Sequence, residues 1–417
     1  MMHNRRNAVW LLINVLLLVG LFTGQAVFFN LAYVFGGLIL LSLLWSWLAV
    51  RGVRIGRRTR TRRSQVGRNF TELFSVRNAF FLPKLWLEVR DRSDLPNHKA
   101  SHVVPPLLPN GNYEWRVDTQ CIVRGEFKLG PMTIISGDPF GLFMTPREIN
   151  ASERMIVYPR SVPITQFQLP RGVLSGGEPQ RYITQNITTN ASGVRDYVPG
   201  DSINRVHWKS TARRGKIIVK EFEIDPLVDI WMIVDFSTEA LFDAPSVRRF
   251  NGTGPAMPDA NGIPASTEEY SVVIASSLAE YFLAKECALG FVGYTPNREF
   301  YQPERGHRQV TRILETLAVA RSRSEYNLKT LLSLETPNLT RGATVIIITS
   351  TLDDSWIAEL NVLARRGIRP MCVYIEPTSF GHQSSDNVQG RLNLMKVPTL
   401  IIRQGENLST ALTQRPI

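Results

Sequence analysis

The densest set of charged and potentially reactive side chains lies in residues 194–223, VRDYVPGDSINRVHWKSTARRGKIIVKEFE. His207, with Asp201 and Arg205 close by in sequence, could form an acid–base group. No nucleophile accompanies it. Arg195, Asp201, Lys209 and Glu221 carry the charges of an ion-pair network that would pin a turn to a sheet; the same side chains could instead be a surface read by a partner protein. Two oxygen-rich groups follow further along, Asp235-Phe236-Ser237-Thr238-Glu239 and Thr349-Ser350-Thr351-Leu352-Asp353-Asp354. The plain reading of both is structural, with Asp235 and Ser237 forming a turn and Asp353 and Asp354 capping a helix. The chain holds no G-x-S-x-G, H-E-x-x-H, phosphate-loop or dinucleotide fingerprint. Its three cysteines, Cys121, Cys287 and Cys372, are widely spaced and suggest buried free thiols in a reducing compartment.

The elements that must position these groups can be read from periodicity. Val198-Pro199-Gly200-Asp201 is a turn sequence, since Pro presets φ and Gly tolerates positive φ. Val206 and Trp208 are expected to point one way, with His207 and Lys209 between them, and residues 216–222 (KIIVKEF) read as a strand. From Leu227 apolar strands alternate with helices. Strands are predicted at 228–234, 289–294, 344–348, 371–375 and 400–402, and helices from the Ser266-Thr267-Glu268-Glu269 capping box to Lys285, over 310–320 and over 355–366. That alternation predicts a doubly wound, mostly parallel α/β sheet, whose ligand sites lie at the carboxyl ends of the strands. Both oxygen-rich groups stand at such ends. The Pro/Gly/Asn-rich stretch 241–265 is long for a βα connection. It reads equally as a partner-contacting loop or a tolerated insertion.

Upstream, residues 66–160 show short alternating runs broken by Pro, Gly and Asp, which predicts a small antiparallel sandwich of immunoglobulin type. Within it Asp138 and Gly141 are expected to shape a turn while Phe140 and Phe143 fill the core. Further upstream, 8–29 and 31–50 are uncharged apolar runs of spanning length with a tight turn at Asn30. The net charge of +12 is local: residues 1–71 hold ten Arg and no Asp or Glu. Arginines at both outer ends of the paired runs predict a two-helix hairpin with both termini and the body in the cytoplasm. This places the basicity beside a membrane and against a nucleic-acid face.

Segment 194–223 resembles the signature of the family catalogued as domain of unknown function 58, at Arg195, Tyr197, Gly200, Asp201, Trp208, Lys209, Ala212, Arg213, Gly215, Val219, Lys220, Glu221 and Phe222. Val206 stands for the usual Ile and Ile217 for the usual Leu. Residues 124–131, 138–143 and 157–160 resemble the same family. The Asp235 group resembles the D-x-S-x-S element of the metal-ion-dependent adhesion site of von Willebrand factor A-like domains. That resemblance implies a hard cation, Mg²⁺, held by Asp235 and Ser237 and open to a partner's carboxylate. Glu239 departs from the second Ser, and the later Asp falls near Ser350, with Asp353 close by. The family resemblance further implies a MoxR-type AAA+ ATPase as partner.

The chain is thus expected to comprise a two-span hairpin (1–50), a basic linker (51–65), a β-sandwich (66–170), the signature segment (171–226) and a von Willebrand factor A-like α/β domain (227–417). The function expected is a membrane-anchored adaptor, with no catalytic residues. A cell-envelope enzyme or a membrane scaffold are the alternatives.

Overall fold

The computed structural model describes residues 2–169, 191–196, 206–222, 229–258, 262–382 and 386–417. Helices α1 (Met2–Thr23) and α2 (Ala26–Ala49) open the chain, and both are long and apolar enough to cross a membrane. The turn between them falls at Gly24, not at Asn30, which lies inside α2. Gly24 takes φ +69° and returns its N–H to the Gly20 carbonyl at 2.9 Å. A glycine adopts this left-handed cap without Cβ strain.

Ten strands follow: β1 (Val53–Thr59), β2 (Arg63–Gln65), β3 (Asn69–Asn78), β4 (Leu87–Asp91), β5 (His102–Val104), β6 (Asn112–Gln120), β7 (Gly125–Leu129), β8 (Met132–Gly137), β9 (Met144–Ile149) and β10 (Glu153–Tyr158). Sheets β1-β3-β6 and β5-β4-β8-β9 are antiparallel and enclose Val53, Val76, Leu87, Val89, Val104 and Ile134. β3 alternates strictly, with Phe70, Phe74 and Val76 inward, as a strand with one buried face must. A third small sheet, β2-β10-β7, has one parallel pairing, β2 with β10, so the body is not wholly antiparallel.

The expected linker 51–65 is instead strand structure, because its arginines alternate with Val53 and Ile55 at the period of a sheet. Arg57 faces inward and pairs with Glu72 at 2.7 Å and Asp91 at 3.3 Å, with His98 between the two carboxylates. Asp138 shapes its turn as expected, accepting the amides of Phe140 and Phe143. Phe140, however, is exposed; Leu142 takes the buried place.

In the signature segment, β11 (Ala191–Asp196) pairs antiparallel with β12 (Ile218–Phe222), and α3 (Trp208–Arg214) lies between them. The α/β unit contains β13 (Ile230–Val234), α4 (Thr267–Ala284), β14 (Leu289–Thr295), β15 (Asn297–Glu304), α5 (His307–Val319), α6 (Leu328–Glu335), β16 (Thr344–Thr349), α7 (Ile357–Arg365), β17 (Arg369–Ile375), α8 (Asp386–Leu394), β18 (Thr399–Ile402) and α9 (Leu408–Ala411). The sheet order is β15-β14-β13-β16-β17-β18, parallel except for β15 at the edge. Ile230, Met232 and Val234 of β13 face α4 and α5, while Trp231 and Ile233 face α6 and α7. Every β13 residue is buried, which is why the strand reads as an unbroken apolar run.

Candidate functional site

Strand order reverses between β13 and β16, and their carboxyl ends open the crevice where sheets of this kind bind ligands. Asp235 is the first residue beyond β13. Its N–H donates to Ile348 O at 2.9 Å, which continues the β13–β16 pairing into the site. Its Oδ1 accepts the Ser237 amide at 3.0 Å, and its Oδ2 accepts the Thr349 hydroxyl at 2.7 Å. Thr349 Oγ1 in turn accepts the Thr351 amide at 3.1 Å, and Ser350 Oγ donates to Ala240 O at 2.5 Å. Asp235, Ser237, Thr349, Ser350 and Thr351 are all buried.

Two features make this more than a satisfied turn. Burial lifts the Asp235 carboxyl above the ordinary carboxylate range, and the hydrogen bonds from Thr349 and Ser237 offset this incompletely. Ser237 Oγ is buried and, by hydrogen-bond geometry, engages no partner among the described residues. A buried hydroxyl without a partner is costly, so the site is one group short of satisfaction. Asp235 and Ser237 together offer hard oxygens from one loop, a donor set that fits Mg²⁺ completed by water or a partner's oxygen.

Asp353 is not part of that set. It is exposed, and its carboxylate takes the Ser355 amide and hydroxyl. Asp354 pairs with Arg391 at 2.6 Å. Neither caps α7, whose N-cap is Trp356. Glu239 is exposed, and among the described residues no three His, Cys, Asp or Glu side chains cluster as a metal site.

A third segment, the connection between α5 and α6, which sequence reasoning missed, completes the rim. Ser324 N donates to Phe236 O at 3.0 Å and Thr238 N to Ser324 O at 3.2 Å, so the loop after α5 is stitched to the Asp235 loop. The loop is held in turn by Arg124, which comes from the bend between β6 and β7. The Arg124 guanidinium donates to Glu269 at 3.0 Å and to Glu268 at 2.9 Å. It also donates to the carbonyls of Leu317, Ala318 and Ala320 at 2.7–3.2 Å. Glu268 Oε2 accepts the Ser322 amide at 2.7 Å. A continuous path thus runs from the sandwich through Arg124, Glu268 and Ser322 to Ser324 and the Asp235 loop. The expected capping box is not formed: Glu268 and Glu269 serve Arg124, and Ser266 Oγ is buried without a partner among the described residues. The described part of the stretch 241–265 packs back on the sandwich, with Phe250 edge-on to Phe127 and Arg249 paired to Asp243 at 2.7 Å.

Of the candidate acid–base group His207, Asp201 and Arg205, only His207 lies within the described residues. His207 caps α3, its Nδ1 accepting the Ser210 amide at 3.1 Å. The expected strand alternation here is therefore wrong: Val206 is buried while Trp208 opens a helix and is exposed. Lys209 is also exposed. Tyr197, Gly200, Asp201 and Arg205 lie outside the described residues, as do the side chains of Arg195 and Glu221.

Residues 193–251 match the model of the family described as "Protein of unknown function DUF58". The signature segment is of the DUF58 type. The match runs from β11 through the Asp235 loop, so the signature and half of the switch-point site fall within one family unit. The chain is 30% identical over 131 residues to "Uncharacterized protein YeaD" of Bacillus subtilis, which is 30% of this chain and 32% of that protein. The alignment thus spans about a third of that curated relative's length.

Among solved structures, the CARDB domain of the PF1109 protein from Pyrococcus furiosus is 14% identical, over 25% of this chain and 86% of that one, with a TM-score of 0.19. A FixG-related protein from Vibrio parahaemolyticus is 12% identical, over 26% of this chain and 98% of that one, with a TM-score of 0.18. Likenesses this slight carry no argument.

Proposed function

We propose that this protein is a membrane-anchored interaction protein whose α/β unit is a von Willebrand factor A-like domain that binds a partner at the strand switch point. The observation that carries the reading is the buried Asp235–Ser237 pair, with its unengaged Ser237 hydroxyl, at the crevice between β13 and β16. Asp235 and Ser237 would hold Mg²⁺, and the ion would offer its open position to a carboxylate of the partner. The charge of the ion would also favour the ionised form of Asp235, which burial alone disfavours.

α1 and α2 span the membrane in this reading, with both termini and the body on the cytoplasmic side, as the flanking arginines favour. The partner we propose is a MoxR-type AAA+ ATPase, on the strength of the DUF58-type signature, with this chain as its adaptor. The protein acts without chemistry of its own. His207, a candidate for acid–base work, has its Nδ1 engaged in capping α3.

The test is affinity purification of the full-length protein from detergent-solubilised membranes, with Mg²⁺ and ATP or with chelator, followed by mass spectrometry. Recovery of an AAA+ ATPase with wild type and its loss on chelation supports the reading. Absence of any AAA+ ATPase under every condition overturns the choice of partner.

A further inference from the structure

A second cleft, built on elements separate from the switch point, lies on the outer face of β1-β3-β6. It is an open hollow of about 470 Å³ whose walls carry Arg54, Arg58 and Arg77. Arg54 and Arg77 are register partners on adjacent strands, with Asn112 of β6 next in the row. In the neighbouring row Gly56 faces Ser75. A Cβ on Gly56 would come within 2.7 Å of Ser75 Oγ, so the glycine leaves that hydroxyl open to the floor. Asn110, at φ +60°, adds an amide at the mouth.

Among the described residues none of the three arginines makes an ion pair or a side-chain hydrogen bond, whereas Arg57 between them is fully engaged inward. Among the described lining residues the one carboxylate, Glu114, accepts from Asn112 at 3.1 Å. Three unpaired guanidinium groups against one carboxylate, with a serine hydroxyl and two amides, are the donor set of a phosphate site.

The position of the cleft says where the phosphate comes from. β1 begins four residues after the last residue of α2. Three contacts fix the sandwich to the end of α2: Lys84 Nζ to Leu48 O at 2.8 Å, Ser46 Oγ to Thr145 Oγ1 at 2.8 Å, and Arg147 to Val50 O at 3.2 Å. Gly52 O accepts the Ala79 amide, Lys84 exchanges backbone bonds with Leu107, and Asn78 N reaches Gly111 O. The loops 79–85, 105–111 and 138–144 therefore ring the end of α2. Their tips carry apolar side chains turned outward, Phe81 at 72% and Leu108 at 74% exposure, with Phe140 and Met144 about half exposed. Leu108 stands two residues from Asn110, so the apolar rim and the basic cleft are contiguous.

We propose that this cleft binds the headgroup phosphate of an anionic phospholipid in the leaflet that α2 leaves, with Phe81, Leu108, Phe140 and Met144 seated in that leaflet. The phosphate lies between Arg54 and Arg77, whose strands are ~4.8 Å apart, and Ser75 and Asn112 complete its contacts. Arg58, two rows further from the membrane, supplies long-range attraction. The proposal rests on the reading of α1 and α2 as membrane spans.

The test uses full-length protein in neutral detergent, incubated with phosphatidylglycerol or phosphatidylcholine, with retained lipid counted by native mass spectrometry. Arg54→Gln/Arg77→Gln is compared with wild type and with Arg116→Gln, which lies on the same face but pairs with Asp118 at 2.9 Å. Wild type and Arg116→Gln are expected to retain phosphatidylglycerol over phosphatidylcholine. In the double variant that preference falls about thirtyfold, each arginine near the surface contributing about fivefold. An unchanged preference in the double variant overturns the site. Displacement of phosphatidylglycerol by millimolar inorganic phosphate reassigns the cleft to a soluble phosphate and overturns the lipid. Partition of wild type and both variants into the membrane fraction is measured in parallel; loss of it in wild type itself marks failure of the spanning reading and not of the cleft.

Discussion

Replacing Arg124 by leucine tests whether the sandwich holds the switch-point loops in place. The guanidinium is the cation between Glu268 and Glu269, and the side-chain exposures of the three are 1%, 1% and 7%. Arg124→Leu would leave two buried carboxylates facing Arg249, 3.6 Å from Glu268, and Arg321, whose charge also acts on both; it would remove a donor from the Leu317 carbonyl, while those of Ala318 and Ala320 keep Arg321. Removing one partner of a buried ion pair costs about 3–5 kcal/mol, because the remaining charge is uncompensated. For a unit of this size that is a fall of roughly 6–20 °C in melting temperature.

The loss is expected to be local before it is global. Hydrogen exchange should speed up at the amides of Ser322, Ser324 and Thr238, which lie on the path from Glu268 to the Asp235 loop. Adding Glu268→Gln and Glu269→Gln to Arg124→Leu removes the stranded charges and should recover a large part of the stability. The assay is thermal melting of the detergent-solubilised full chain by intrinsic fluorescence, with exchange read by mass spectrometry. A melting temperature within about 2 °C of wild type, or exchange unchanged at Ser322 and Ser324, refutes the reasoning.

Two further outcomes follow from single contacts. Gly290→Ala places a Cβ 2.6 Å from the Trp231 ring across the β13–β14 register, and should lower stability by about 1–3 kcal/mol in denaturant titration; a change near zero would mean that Trp231 can repack. Lys84 is enclosed at the end of α2, and burial lowers its ammonium to about 8. The unfolded chain keeps that proton to about 10.4. The folded state then binds fewer protons between those values, so wild type should gain stability over Lys84→Met as pH rises from about 8 to 10.4. A pH-independent difference in melting temperature between the two would show that the lysine titrates normally.

The α/β unit was legible because β13, β14, β16 and β17 are buried on both faces and read as apolar runs, with Gly367 ending α7 at φ +77°. β15 was not, since five of its eight residues are polar or charged and it lies at the edge, where alternation with Phe300 and Tyr301 is weak. Asp235 and Ser237 were legible from type and position. Thr349 was read as one residue of a strand-end group, and its bond to Asp235 depends on the β13–β16 register, which no local pattern reveals. Arg57 and Arg124 were opaque for one reason: each resembles a surface arginine in sequence, and burial follows from partners fifteen and about 145 residues away. The capping box misled because Ser-Thr-Glu-Glu satisfies the local rule while a distant guanidinium competes for the same carboxylates.

The most direct test of the adaptor reading is binding between purified components. The full-length protein in lipid nanodiscs is immobilised, and a MoxR-type AAA+ ATPase encoded by the same genome is titrated over it with Mg²⁺, with chelator, and against Asp235→Ala. Saturable binding that weakens at least about tenfold, or 1.4 kcal/mol, on chelation and in the variant is the predicted result. Binding of equal strength in all three conditions would contradict a metal-bearing switch-point site, and no binding in any would contradict the adaptor function itself.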